Sequence, residues 1–260
     1  MKPKIRDKNT YFFDLDKTIW NWDSTIIGAE DLLDTLREKD KNIRFHTDNN
    51  VLSREGYAQK LSSMNIPAEE EDIITSGFVA AQKLADENVK KVYAIGEKGL
   101  IDELEKEDIN ISQNADTVVV GIDRQFNYEK LRKAMKILKK GGRLVICSTE
   151  KTFRKTNGEQ PHQEPINNAL KTYAEKVELV GKPSEKFRNE FRNYFTYIPT
   201  GSVMIGDRMA DIETGNKLGM KTGVVMSGDL TRGELAQAEN EDQQPDFGLS
   251  NLNRLKRNIL

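Results

Sequence analysis

A single cysteine, Cys147, rules out any internal disulfide, and two histidines, His46 and His162, are too few for a Cys/His cluster of zinc-site spacing. Any metal would have to be held mainly by oxygen. Charge of one sign is also missing, since 40 basic residues face 42 acidic ones for a formal charge of -2. Bulk electrostatics therefore supplies no pull toward nucleic acid or an anionic membrane. No stretch approaches the roughly 20 consecutive apolar residues that cross a bilayer. The polar, basic start from Met1 to Lys8 lacks the apolar core of roughly 7 to 15 residues found in signal peptides. The expectation is a cytoplasmic protein that engages neither membrane nor nucleic acid.

What the chain does have is a repeating alternation. Short apolar runs at Tyr11 to Phe13, Ile43 to Phe45, Val92 to Ile95, Val118 to Val120, Leu144 to Cys147, Val203 to Ile205 and Val224 to Met226 read as strands. Between them, apolar residues three and four apart mark helices at Ala29 to Glu38, Glu55 to Met64, Gly99 to Glu105, Tyr128 to Leu138 and Asp211 to Leu218. Strands alternating with helices imply an α/β fold with a mostly parallel sheet covered on both faces. A chain of 260 residues suffices for one large domain, or for a core with a smaller one inserted. Polar stretches at Lys151 to Glu164 and Glu239 to Asp246, each with a proline, read as long loops.

Ligands of parallel α/β sheets bind beyond the carboxyl ends of the strands. Asp14 follows the first strand, Thr47 the second, Asp207 the run Val203 to Ile205, and Lys182 the stretch Val177 to Val180. The middle of the chain, roughly 77–176, contributes none of them and reads as a separate lobe.

In Phe12-Phe13-Asp14-Leu15-Asp16-Lys17-Thr18 two aspartates lie two residues apart, on one side of an extended chain. Asp14 suits nucleophilic attack on phosphorus, while Asp16 suits proton donation to the departing oxygen and later proton uptake from water. The plain alternative is a pair of turn-forming aspartates. Gly206-Asp207-Arg208-Met209-Ala210-Asp211 opens a helix after another strand. Asp207 suits a magnesium ion, which prefers oxygen ligands, and Asp211 suits a supporting position behind it. Here the plain alternative is helix capping. Lys182, in Gly181-Lys182-Pro183, offers positive charge to a phosphate, and the Thr47 hydroxyl and amide offer hydrogen bonds.

In this order the motifs resemble the haloacid dehalogenase superfamily of phosphatases, and more closely the p-nitrophenylphosphatase-like branch with its large inserted cap. Supporting runs include Ser53-Arg54-Glu55-Gly56-Tyr57, Tyr93-Ala94-Ile95-Gly96-Glu97 and Val118-Val119-Val120-Gly121-Ile122-Asp123-Arg124. The resemblance implies a Rossmann-like doubly wound core over 1–77 and 177–260, with an inserted α/β cap domain over 78–176. It implies Mg2+ held by Asp14, Asp207 and the backbone carbonyl of Asp16, with Asp211 in support. Asp14, Asp16 and Lys182 would be catalytic, and Thr18, Thr47, Asp48, Asn49 and Lys182 would contact substrate; His162, in a cap loop outside the branch pattern, would either contact substrate or simply be solvated. The substrate would be a small phosphorylated metabolite, and a homo-oligomer formed through the cap is left open.

Three departures stand out. Lys17 replaces the usual glycine of the first motif, Asp48 puts a carboxylate where the branch has Thr-Asn-Asn, and Pro161-His162-Gln163-Glu164 replaces a glycine-rich cap loop. The expected activity is magnesium-dependent hydrolysis of a small phosphomonoester through an aspartyl-phosphate. The rival readings are a non-catalytic phosphometabolite-binding or regulatory protein, and a phosphotransferase or phosphomutase. Trp20 and Trp22 either border the site or pack beneath it.

Overall fold

A computed structural model describes residues 5–260 apart from 22–23, 156–157, 227 and 229. Trp22 thus lies outside the described residues. The chain divides into two compact units: Met1–Thr47 with Ala58–Ile73 and Phe191–Leu260, and Asp48–Tyr57 with Ile74–Glu190.

In the first unit the strands run in the order Phe247–Leu249, Lys221–Val225, Ser202–Gly206, Thr10–Asp14, Asn42–Thr47. Every pairing between these neighbours is parallel. The two central strands, Thr10–Asp14 and Ser202–Gly206, are buried at every position. A parallel strand covered on both faces reads as a continuous apolar run, and that is how Tyr11 to Phe13 and Val203 to Ile205 announce themselves. Beneath the first of them Phe12 packs on Phe191, Phe195 and Tyr197 at ring-centroid distances of 4.7, 5.4 and 5.5 Å.

Helix Ala29–Glu38 buries Ala29, Leu32, Leu33 and Leu36, the three-and-four spacing of one helical face. It stops at Asp40, in the left-handed region with φ 52°. There the amides of Asp40 and Lys41 close onto the carbonyls of Arg37 and Leu36 at 2.9 and 3.0 Å. This double closure satisfies carbonyls that a helix end otherwise leaves orphaned.

The second unit has its own parallel sheet, ordered Lys176–Leu179, Arg143–Ile146, Thr117–Val120, Lys91–Ile95, Asn110–Ile111. Its core gathers Val118, Val120, Leu144 and Ile146 from the strands with Ala134, Leu138 and Leu170 from helices. Asn127 caps helix Tyr128–Leu138 by accepting the Lys130 amide at 3.1 Å. The polar stretch read as a long loop instead forms an antiparallel hairpin, Thr152–Lys155 against Gly158–Pro161. Among the described residues no helix is long and apolar enough to cross a membrane.

Removing the Phe12 ring deletes the shared partner of this aromatic group. Phe12→Ala is expected to cost about 3–5 kcal/mol, lowering the thermal midpoint on the order of 10 °C by calorimetry.

Candidate active site

Parallel pairing carries three side-chain positions to the same edge of the first sheet. Register sets Asp14 opposite His46 on one neighbour and Phe13 opposite Ile205 on the other, so Gly206 and Asp207 follow alongside Asp14. This is the carboxyl edge, where the loops leave the sheet and ligands of such folds gather. Asp14 is 6% exposed and Asp207 is fully buried. Two glycines make room for these acids. A Cβ at Gly206 would lie 2.2 Å from Asp211 Oδ2, and one at Gly228 would lie 2.1 Å from Asp207 Cβ.

Asp211 caps its helix and also reaches the buried group at the sheet edge. Its Oδ2 accepts the Arg208 amide at 3.0 Å, capping helix Met209–Lys217. Its Oδ1 lies 3.8 Å from His46 Nδ1, which is also 3.8 Å from Asp14 Oδ1. Asp14, His46 and Asp211 thereby bring ligand-capable atoms within 4.8 Å of one another, all buried. The two buried carboxylates of this group, with buried Asp207 following alongside Asp14 at the same edge, offer the oxygen donors that a hard divalent cation prefers. His46 is the member that sequence reasoning missed, because the neighbouring Thr47 hydroxyl drew the attention. The usable signal was register: Asp14 and His46 each stand four residues past a paired start, Thr10 and Asn42.

After Asp14 the chain turns sharply. The Leu15 carbonyl accepts the amides of Ile19 and Trp20 at 2.9 and 3.2 Å, and the Lys17 amide donates to the Trp20 carbonyl at 2.7 Å. Lys17 stands in the left-handed region with φ 62°. A lysine there bears a Cβ clash that glycine avoids, at a cost of roughly 1–2 kcal/mol. Its ammonium donates to Asn21 Oδ1 at 2.7 Å. Half-buried Asp16 accepts the Trp20 indole N–H on Oδ1 at 2.9 Å, and Trp20 is fully buried. Thr18 is fully buried, and its hydroxyl has no hydrogen-bond partner among the described residues. Thr47, at the end of Asn42–Thr47, is buried as well.

The other expected residues lie in the second unit. A Cβ at Gly181 would fall 1.9 Å from the Cys147 carbonyl oxygen, so only glycine fits before Lys182. The Lys182 amide donates to Asp48 Oδ1 at 2.9 Å, and Lys182 is 3% exposed. The Asp48 carboxylate thus serves as a backbone anchor. Its own carbonyl accepts the Ser76 hydroxyl at 2.8 Å and the Asn50 side-chain amide at 3.2 Å, and Asn50 Oδ1 accepts the Ile122 amide at 2.9 Å. Asn49 Oδ1 accepts the Val51 amide at 3.2 Å. Burial pushes the Cys147 thiol far above the usual cysteine range, and the Asp48 charge adds to it. Cys147 is therefore a protonated, inert thiol at neutral pH. His162 is buried rather than solvated, with Nε2 3.3 Å from Glu150 Oε2 and its ring edge-on to Phe153.

The chain is similar to known phosphatases in both sequence and fold. Residues 11–110 match the profile of haloacid dehalogenase-like hydrolases, and residues 179–255 match a second profile described as HAD-hydrolase-like. The chain is 32% identical to the chloroplastic phosphoglycolate phosphatase 1A of Arabidopsis thaliana, over 95% of this chain and 76% of that protein. It is 29% identical to an acid sugar phosphatase of Staphylococcus haemolyticus, over 96% and 95% of the two chains. Its fold is similar to the crystal structure of a 4-nitrophenylphosphatase from Thermotoga maritima, with TM-score 0.88, 27% identity and 98% coverage of both chains.

Lys17→Gly is expected to stabilise the protein by about 1 kcal/mol by relieving the left-handed lysine, a rise of roughly 2–4 °C in thermal midpoint. Cys147 should stay silent toward an aromatic disulfide reagent in the native protein and react once denaturant exposes it, read by absorbance.

Proposed function

The chain belongs to the haloacid dehalogenase-like hydrolase family, as a phosphoric monoester hydrolase of α/β, Rossmann-like architecture, and from that premise we propose that it hydrolyses a small phosphomonoester through an aspartyl-phosphate on Asp14. The observation that carries this reading is buried Asp14 at the end of one strand and buried Asp207 just past the end of its parallel neighbour, with Asp16 in the turn that follows Asp14.

In the first step an Asp14 carboxylate oxygen bonds to phosphorus while the bond from phosphorus to the leaving oxygen breaks, and Asp16 gives its proton to that oxygen. In the second, water attacks phosphorus, Asp16 takes the water proton, and the bond to Asp14 breaks to release inorganic phosphate. Asp14, Asp207 and the Asp16 backbone carbonyl would hold Mg2+. When bound, the ion offsets negative charge on the phosphoryl oxygens. Thr18 and Thr47 add hydrogen-bonding groups for the same oxygens, and Lys182, as a cation, and Asn49 are proposed as further phosphate contacts. We assign 1–77 with 177–260 to the catalytic core and the inserted segment 78–176 to a cap domain. The names of the relatives, phosphoglycolate and sugar phosphatases among them, point to a small anionic metabolite as the substrate class.

A panel of phosphomonoesters assayed for inorganic phosphate, with magnesium and with chelator, tests the activity. Turnover is expected with magnesium and without any added acceptor, and it should vanish on chelation. Asp14→Asn should lower kcat by roughly three orders of magnitude or more. Magnesium-dependent hydrolysis persisting in that variant would overturn the nucleophile assignment.

A further inference from the structure

The turn that displays Asp16 also contains the group that orients it. Trp20 is four residues along and fully buried, and its Nε1–H reaches Asp16 Oδ1 at 2.9 Å. Its backbone is tied into the same turn, donating to the Leu15 carbonyl at 3.2 Å and accepting the Lys17 amide at 2.7 Å. The ring is held from its face by the Lys60 ammonium, 4.2 Å from the centroid, at a distance where the cation meets the negative face of the indole. The short ladder Trp20–Asn21 with Ser24–Thr25 fixes the chain just beyond. Backbone, ring face and ring edge are thus all constrained, and the one polar atom of the side chain is spent on Asp16.

An indole N–H can only donate. Both oxygens of a protonated carboxyl group keep lone pairs, but the carbonyl oxygen is the stronger acceptor, so this donor favours the carbonyl at Oδ1 and the proton on Oδ2. We propose that Trp20 is a positioning residue for proton transfer: it favours Oδ1 of Asp16 as the acceptor, so that Oδ2 is the oxygen that gives a proton to the leaving group. Phenylalanine at this position would fill most of the space and supply no donor. Tyrosine would supply a hydroxyl that both donates and accepts, and so would leave the proton free to sit on either oxygen. The inference rests on the phosphatase reading and on Asp16 as the acid.

The chemistry supplies a readout that lost packing alone does not move. Proton donation matters most when the leaving oxygen is a poor anion, as in an alkyl phosphate, and least when it departs as a stable phenolate, as in p-nitrophenyl phosphate. The test compares kcat and KM of wild type, Trp20→Phe, Asp16→Asn and the double variant on glycerol phosphate and on p-nitrophenyl phosphate with magnesium. Trp20→Phe is expected to lower kcat on the alkyl ester by about 10- to 100-fold and on the aryl ester by no more than about threefold, with KM little changed on either. In the Asp16→Asn background the further loss on the alkyl ester should disappear, because the two residues act through one proton. Because each variant serves as its own control across the two esters, a smaller folded fraction lowers both rates together and leaves the ratio untouched. An equal loss on both esters, or losses that multiply in the double variant, would overturn the role of Trp20 while leaving the phosphatase reading intact. Failure of the wild-type protein to turn over either ester would instead overturn that reading, and the inference with it.

Discussion

The burial of carboxylates at one sheet edge is the constraint on which the rest of the structure turns. Asp14, Asp207 and Asp211 have almost no contact with solvent, and a buried anion is costly unless neighbouring dipoles or charges compensate it. The fold meets that demand locally. Parallel strands place Asp14 beside His46, a helix start turns the Arg208 amide onto Asp211, and Gly206 and Gly228 keep side-chain bulk away from Asp211 and Asp207. A divalent cation would bring the complementary charge to such an edge and offset the repulsion between these acids and an anionic phosphoryl group. The same cost that makes these acids unfavourable for stability makes the edge suited to phosphate chemistry.

How much of this was legible depended on whether the signal was local. The helix ranges Ala29–Glu38 and Tyr128–Leu138 read to the residue, since both carry an apolar stripe on one face and a polar remainder. Ser76–Asp86 left no such trace, because Ser76 to Ala81 are buried all round the helix and no polar face marks its period. The hairpin at 152–161 failed for the opposite reason: its strands are largely polar and Gly158–Pro161 is mostly exposed, so alternation of apolar and polar residues is absent. Asp14, Asp16 and Asp207 were visible because they follow apolar strands directly. His46 became visible only when strand pairing put it opposite Asp14, which is information held by two distant segments together.

The departures from the family pattern are informative in the same way. Asp48 looks hostile to phosphate when read as an isolated charge, yet it accepts the Lys182 amide and is braced by Ser76 and Asn50. A carboxylate is a stronger acceptor than the amide oxygen it replaces. In this chain the carboxylate is used as an acceptor for backbone, at the Lys182 amide. His162 likewise looks like a solvated loop residue, but the hairpin draws its backbone amide onto the Lys151 carbonyl at 2.9 Å and its ring against Phe153 and Glu150.

Lys17 completes the argument about local compensation. Its left-handed backbone is a cost, and the surrounding turn is what sustains it: the Leu15 carbonyl gathers successive amides while the Lys17 amide is returned to the Trp20 carbonyl. That last bond requires the backbone reversal at Lys17, and it fixes the residue whose indole reaches Asp16. The strained position and the oriented carboxyl group are therefore two ends of one hydrogen-bonded loop. Backbone strain persists where surrounding structure over-determines it, and here the over-determining contacts are the ones that orient the Asp16 carboxyl group. A side chain at position 17 is tolerable because the turn is held at Leu15, Trp20 and Lys60, none of which depends on what residue 17 carries beyond its backbone.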